Sequence, residues 1–466
     1  MIPSLTFRCT ESSVTPCTDV QEFLARSQAA AGGGYEVVLA SGGAHDLSVH
    51  SMAMLRPVVL FTAKAMQCRL QIGLQVTHFE AHPFDVLQEL ASLLPAAPHA
   101  WKDAPLLGGY VAYEAAVLLD DMRVHAHDEL SLPDLLFLLP SRTLVYEHAG
   151  GTIESRRFIW CDDEGKRIDE IPFVPDTPLH DTSVTFADWT ERAYLHKAET
   201  VRKHIHDGDV YQVNLAQRFH IRLTGDARTL WKKLVEANPS PFAAWIHAPE
   251  HDILCTSMER FFFLDDGRIE TRPIKGTRPR GATPEEDEAL AQDLVSNPKD
   301  DAELSMIVDL ERNDLGRICA TGSVKVTAHK RLERYANVQH LVSVVEGRLT
   351  PGTRVGEVFR ALFPGGSITG CPKIRAMEIV AELESSTRHV YTGAIGYIAA
   401  GGRCDFNIAI RTAILRHGVC HLSLGGGIVY DSDPEAEYLE TLHKGGTFFK
   451  FLGIDISRTL DDRCEE

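Results

Sequence analysis

The chain has 466 residues, with 47 Lys+Arg against 65 Asp+Glu and a formal net charge of −18. Hydrophobic residues make up 44% and charged residues 24%, ordinary for a soluble globular chain that is long enough for roughly two or three domains or one large two-layer enzyme. The acid excess argues against nucleic acid or an anionic membrane as partner, since both demand a basic footprint; a small anionic substrate stays open if a metal, buried cations or backbone N–H groups receive it.

Ten cysteines are scattered without a CxxC pair, which points to reduced thiols and a cytoplasmic protein. The start, MIPSLTFRCTESS, lacks the basic region and apolar core of a signal peptide, and the densest apolar stretch, Leu135 to Leu139, is too short to span a bilayer. Residues 171–185, with three prolines among turn formers, read as a linker. It separates an N-terminal domain (1–170) from a second domain (186–455), with a tail at 456–466.

In chain order, Tyr35–Ala40 and Arg142–Tyr146 read as short strands. Thr185 and Asp188 have capping-box spacing before Tyr194, Ala198, Val201 and Ile205, whose i, i+4, i+7, i+11 pattern predicts an amphipathic helix closed by Gly208. Tyr211–Leu223 alternates as a strand, Asp226–Ala237 reads as helix, and Phe242–His247 and Ile253–Ser257 as strands. Phe261–Ile274 is a predicted hairpin turning at Asp265-Asp266-Gly267. Helices are expected at Pro284–Val295, Asp300–Asn313, Lys373–Leu383 and Pro434–Phe448, bracketing strands such as Gly393–Ala399 and Cys420–Leu424. Strands and helices come in runs, which favours an α+β fold with antiparallel sheet over a doubly wound one.

Four segments carry candidate chemistry. Lys275, in Arg272-Pro273-Ile274-Lys275-Gly276-Thr277, would by itself be a solvated hairpin residue. Gly365-Gly366-Ser367-Ile368-Thr369-Gly370-Cys371-Pro372-Lys373 is not a phosphate loop, because Cys371-Pro372 separates the last glycine from the lysine; it could still offer N–H groups to a carboxylate. Gly425-Gly426-Gly427, expected at a strand end, would let an anion approach the backbone closely. Ser432 and Glu435 make a second capping box, and on the helix that follows Glu437, Glu440, Thr441 and Lys444 share one face. That face is either solvated and salt-bridged or a hard-ligand site for Mg²⁺. Glu303–Asp314 mixes an apolar stripe with acids that the stripe does not explain.

Taken together and in this order, these segments resemble the chorismate-utilising enzymes, the family of anthranilate synthase component I, isochorismate and salicylate synthases and aminodeoxychorismate synthase component I. The likeness is strong over about Phe186–Leu452 and weaker at Gly108-Gly109-Tyr110-Val111-Ala112-Tyr113-Glu114. It implies an α+β fold whose large antiparallel sheets form a sandwich-like core with helices outside. Ser257-Met258-Glu259-Arg260-Phe261 is similar to the family's SPERF, with Met258 in place of proline. Pro273-Ile274-Lys275-Gly276-Thr277 is similar to the PIKGT of the aminodeoxychorismate branch, where anthranilate synthases have PIAGT.

The resemblance implies an amine of Lys275 that adds to C2 of chorismate and expels the C4 hydroxyl, after which ammonia enters C4 and expels the lysine. Such a lysine must be neutral, so its pKa should be depressed. Glu259 is implied as the proton donor and acceptor, and His340 as an active-site histidine. Mg²⁺ is implied between Glu303 and Glu437, with Glu440 joining through water. Gly425, Gly426, Gly427, Arg411 and Lys444 are implied carboxylate binders, with Thr369 and Tyr391 or Tyr397 lining the same pocket. Ammonia is expected from a separate glutaminase subunit, because the chain has no GxCxG elbow. Asn238-Pro239-Ser240-Pro241-Phe242 resembles a tryptophan-contacting NPSPY loop, with Ser41 in its loosely echoed partner Leu39-Ala40-Ser41-Gly42; a Pro-rich turn without ligand is the alternative. Anthranilate synthase chemistry, or a non-catalytic subunit that binds chorismate or tryptophan, are the competing functional readings.

Overall fold

A computed structural model describes residues 2–43, 45–96, 104–119, 127–172, 186–223 and 225–455. Most of the expected linker and the whole expected tail lie outside these residues, as does Thr185. Among the described residues twenty-three strands join in one network, every ladder of which is antiparallel, and helices flank it. This is the α+β architecture that runs of like elements predict.

Two ladders join the N-terminal and C-terminal halves. Glu36–Ala40 pairs with Phe242–Ala248 in the register Val38↔Trp245, and Leu107–Val111 pairs with Ala394–Ile398 in the register Gly109↔Gly396. The period of two then sorts side chains between layers. Val37, Ala244, Ile246 and Ile253 enter one apolar cluster with Leu60, Tyr110, Leu136 and Ile395. Their sequence neighbours Val38, Ala243, Trp245 and Leu254 enter another, beneath the helices Val20–Ala30 and Ala227–Ala237. Both faces of these strands are buried, so the centre is a sandwich and the helices form its outside. Gly109 is where the strands come closest: a Cβ there would stand 1.9 Å from the Leu136 carbonyl.

The helices begin where local chemistry satisfies their free N–H groups, and two starts differ from expectation. The first amphipathic helix is Glu191–His206, capped by Thr190 Oγ1 accepting from the Ala193 N–H. Asp188, expected in a capping box, instead pairs with His220. The last helix is Pro434–Leu452, capped by Asp433 rather than Ser432. Ser432 Oγ lies 2.7 Å from Glu437 Oε1, to which it donates, because it sits one residue too early to reach the first turn. The hairpin turn falls at Asp266 and Gly267, both with positive φ, as a tight two-residue turn requires. Gly425, Gly426 and Gly427 lie inside the Val419–Ile428 strand, paired with Ala216, Leu215 and Asn214, rather than at its end.

Candidate active site

Four elements meet around a cavity of about 670 Å³: the strands Gln212–Arg222, Ile274–Pro279 and Val419–Ile428, and the helix Pro434–Leu452. The helix Pro298–Gly316 closes one side. Lys275, Glu259, His340, Tyr391, Arg411, Gly425, Gly427, Glu303, Glu437, Glu440 and Lys444 all line it. The wide sequence separations of these residues are bridged by sheet pairing: Lys275 lies opposite Leu341, and Thr277 opposite His340.

Lys275 Nζ donates to the Ser367 carbonyl at 3.2 Å. Burial pushes its ammonium below the ordinary lysine range against the pull of Glu303 and Glu259, and Lys444 adds to the lowering. Glu259 is 3% exposed. Burial pushes its carboxyl up to about 7, although the Ser367 hydroxyl and Lys275 favour the ionised form. A carboxylic acid that keeps its proton near neutrality is suited to proton transfer.

His340 is buried; its Nδ1 lies 2.9 Å from Thr277 Oγ1 and 3.3 Å from the Gly276 carbonyl. Burial, with the charge of Arg411 next, holds the ring down to about 4, so it is neutral. The carbonyl can only accept, which assigns the N–H to Nδ1. Nε2 is then a buried acceptor with no protein partner.

Arg411 and Lys444 stand together at one end of the cavity. Arg411 is held in the left-handed region at φ 50°, and its guanidinium donates to the Lys444 carbonyl. Lys444 Nζ reaches the Gly425 carbonyl at 2.9 Å and Glu440 at 2.6 Å. Gly427 faces the lysine, since a Cβ there would meet Gln212 Nε2 at 2.9 Å and Lys275 Nζ at 3.4 Å.

Glu303 and Glu437 are pushed up by burial, Glu440 is pulled down chiefly by Lys444, and Lys299 Nζ reaches across at 4.0 Å from Glu303 and 3.7 Å from Glu437. The half-buried Glu303 and the buried Glu437, both reached by one lysine, are a donor set that fits a hard divalent ion.

Three expected pocket residues lie elsewhere. Thr369 is fully buried behind the wall, with Oγ1 spent on the carbonyls of Gly365 and Gly366. Tyr397, on the strand Ala394–Ile398, lines a second cavity, whereas Tyr391 lies in the turn before that strand. Gly426 is not itself in the cavity lining, but its Cβ position faces the lining groups of the last helix, 3.3 Å from Glu437 Oε2 and 3.6 Å from Lys444 Nζ. Lys373, the lysine after the rejected phosphate loop, is bound to Asp314 and the Leu362 carbonyl.

The sequence reading missed Asn214, Lys299, Asp300 and His443, which also line the cavity. Asn214 Oδ1 and both amide atoms of Gln212 are buried without a partner. The signal was available: Gln212 and Asn214 are polar residues on one face of a strand whose neighbours Val213 and Leu215 are apolar.

The second cavity, about 310 Å³, is lined by Ser41, Pro241, Phe263 and Tyr397 together with Arg260, Glu270 and Asp405. The two expected loops do meet there. Ser41 Oγ donates to the Pro241 carbonyl at 2.9 Å, and the Gly42 N–H to the Ser240 carbonyl at 2.8 Å, while Pro239 packs on Gly42.

Residues 40–450 match the family model described as chorismate binding enzyme. The chain belongs to the chorismate-binding enzyme family. Among its members, aminodeoxychorismate synthase component 1 of Escherichia coli is 36% identical over 426 residues, covering 90% of this chain and 93% of that one. Anthranilate synthase component 1 1 of Haloarcula marismortui is 37% identical over 384 residues, covering 77% and 78%. The crystal structure of anthranilate synthase component I from Streptococcus pneumoniae superposes with a TM-score of 0.71 at 30% identity, covering 88% of this chain and 93% of that one. Identity near one third to both branches of the family leaves the choice between them to particular residues.

Proposed function

We propose that this chain is an aminodeoxychorismate synthase component: chorismate plus ammonia gives 4-amino-4-deoxychorismate and water. The observation that carries the reading is a lysine at position 275, half-buried, depressed in basicity and facing Glu259 across one cavity. The Lys275 Nζ lone pair forms a bond to C2 of chorismate, the ring double bond shifts, and the C4–O bond breaks. Glu259 gives its proton to the departing hydroxyl, which leaves as water. Ammonia then bonds to C4, the double bond shifts back, and the C2–N bond returns its electron pair to Lys275; Glu259 takes up the proton that ammonia loses. Two displacements give nitrogen at C4 with net retention, which splits one difficult step in two.

Arg411, Lys444 and the Gly425–Gly427 edge receive the carboxylates. His340 Nε2 and Asn214 Oδ1, buried acceptors with no partner among the described residues, are free to accept from a substrate hydroxyl. Glu303 and Glu437, with Glu440, would hold Mg²⁺, which supplies positive charge against a substrate carboxylate. Ammonia is taken to come from a separate glutaminase component. Tryptophan is proposed for the second cavity, its indole against Phe263 and Tyr397 and its charged ends against the Arg260, Glu270 and Asp405 groups; unchanged calorimetry on adding tryptophan would count against it.

The test is product identity. The chain is incubated with chorismate, Mg²⁺ and an ammonium salt, and the products are separated. Aminodeoxychorismate is expected. Anthranilate, followed by its fluorescence, would move the chain to the other branch, and no turnover with the glutaminase partner present would favour a binding subunit.

A further inference from the structure

The face of the Gln212–Arg222 and Val419–Ile428 ladder that lines the catalytic cavity continues past it. On the two strands Asn214, Arg218 and His220 share this face with Gly427, Gly425, Ser423 and His421, and His220 pairs directly with His421. At that end, His220 is buried and His421 half-buried, with their Nδ1 atoms 3.0 Å apart. A carboxylate oxygen of Glu129, from the N-terminal half, converges with both imidazoles, the three ligand atoms lying within 4.8 Å of one another.

Behind this group stands a carboxylate that orients it. Asp188 Oδ1 lies 2.6 Å from His220 Nε2, and Ser386 Oγ donates to Asp188 Oδ2 at 3.2 Å. An ionised carboxylate can only accept, so His220 carries its proton on Nε2 and turns the Nδ1 lone pair forward. His421 then donates Nδ1–H to it. Phe186 stacks on the His220 ring at 4.3 Å between centroids and fixes its plane. A carboxylate behind one imidazole, a second imidazole at about the edge length of a tetrahedral site, and a third oxygen ligand are the parts of a histidine–carboxylate metal centre.

We propose that His220 Nδ1, His421 Nδ1 and Glu129 form a binding site for a transition cation of the Zn²⁺ class, separate from the catalytic carboxylates. Two imidazole nitrogens and one carboxylate select such an ion over Mg²⁺, which prefers oxygen alone. On binding, the proton between the rings gives way and His421 moves to its Nε2–H tautomer. Arg218 at present donates to Glu129, to the Thr387 carbonyl and to Ser423 Oγ, and Ser386 Oγ reaches the second Glu129 oxygen at 3.3 Å. The cation takes over one Glu129 oxygen while Arg218 keeps Thr387 and Ser423. Because Ser423 lines the catalytic cavity, the site fastens the segment around residue 129 to the ladder that carries the substrate pocket. The other convergent group among the described residues, His45, Asp46 and Glu333, is saturated by Arg272, Arg331 and Tyr335 and reads as an ion-pair network.

The experiment uses the full chain stripped of metal. Zn²⁺ is titrated by calorimetry in excess Mg²⁺, and Co²⁺ is followed by its visible absorption, which intensifies in a tetrahedral nitrogen–oxygen site. One Zn²⁺ per chain is expected, retained in Glu437→Gln and in His45→Ala. His421→Ala should weaken it at least tenfold and abolish the Co²⁺ band. Asp188→Asn, which touches no metal, should weaken it about tenfold to a hundredfold. If His220→Gln does not fold, the half-exposed His421 and Glu129→Gln carry the test. No Zn²⁺ bound by the unaltered chain, or stoichiometry and spectrum unchanged in His421→Ala, overturns the site.

Discussion

At the residue scale, the cavity holds two groups whose environments drive their protonation in opposite senses. Burial keeps Glu259 protonated up to about pH 7, and keeps Lys275 closer to its neutral form. Lys275→Ala should abolish nearly all aminodeoxychorismate formation while leaving far-UV circular dichroism unchanged, because the side chain lines a cavity rather than fills a core. Glu259→Gln should lower kcat by about 10²- to 10⁴-fold, the usual weight of a positioned proton donor. The protonated acid is the active form, so kcat/KM should fall as pH rises through about 7, and this limb should be missing from the residual activity of Glu259→Gln. The same residue carries a stability cost of known sign. The folded-state pKa lies above the unfolded value, so the folded chain binds the extra proton; the contribution is fully present below about pH 4.5 and is lost as pH rises toward 7. Glu259→Gln should therefore stabilise the chain at pH 8, by on the order of 1–3 kcal/mol, measured by denaturant titration.

At the scale of elements, the helices Pro298–Gly316 and Pro434–Leu452 each bring one glutamate, Glu303 half-buried and Glu437 buried, to the same gap, and Lys299 at the head of the first one bridges it. Glu437→Gln should weaken Mg²⁺ binding by calorimetry. Lys299→Met should tighten it severalfold, since it removes a cation that competes for both carboxylates. If neither variant changes the titration, the two helices do not form the metal site. The strand of three glycines has a matching logic: paired on one edge with Gln212–Arg222, it leaves no side chain between the backbone and either Lys275 or the glutamates.

At the scale of the whole molecule, the cavity gathers five cations and five carboxyls within a chain whose net charge is −18. The site is thus near local neutrality before any substrate arrives, which is how an acidic protein can receive a dianion. The sheet has a further consequence, because strands from residues 36–40 and 107–111 cover edges of strands at 242–248 and 394–398. A fragment beginning at residue 186 would expose both edges and half of an apolar cluster. It should elute as aggregate on size exclusion, and a monodisperse, folded fragment would contradict this coupling.

The sequence alone determined the elements and the chemical cast. Helix periods, the Asp266-Gly267 turn and the alternation of strands such as Gln212–Arg222 are local properties of the chain, and so is the presence of a lysine between Ile274 and Gly276. Local spacing could not say which hydroxyl or carboxyl caps a helix, so Thr190 caps the helix where Asp188 was expected to take part, and Asp433 displaced Ser432. Nor could it separate Tyr391 from Tyr397, or keep Thr369 out of the cavity. Those outcomes depend on how the turn carrying Tyr391, the strand carrying Tyr397 and the segment before Gly370 pack in three dimensions, which spacing along the chain does not encode. Asn214, Lys299 and the His220–His421 pair came into view only when strands and helices far apart in sequence were laid side by side. Motif spacing records which groups are present, and long-range packing decides which of them share a cavity.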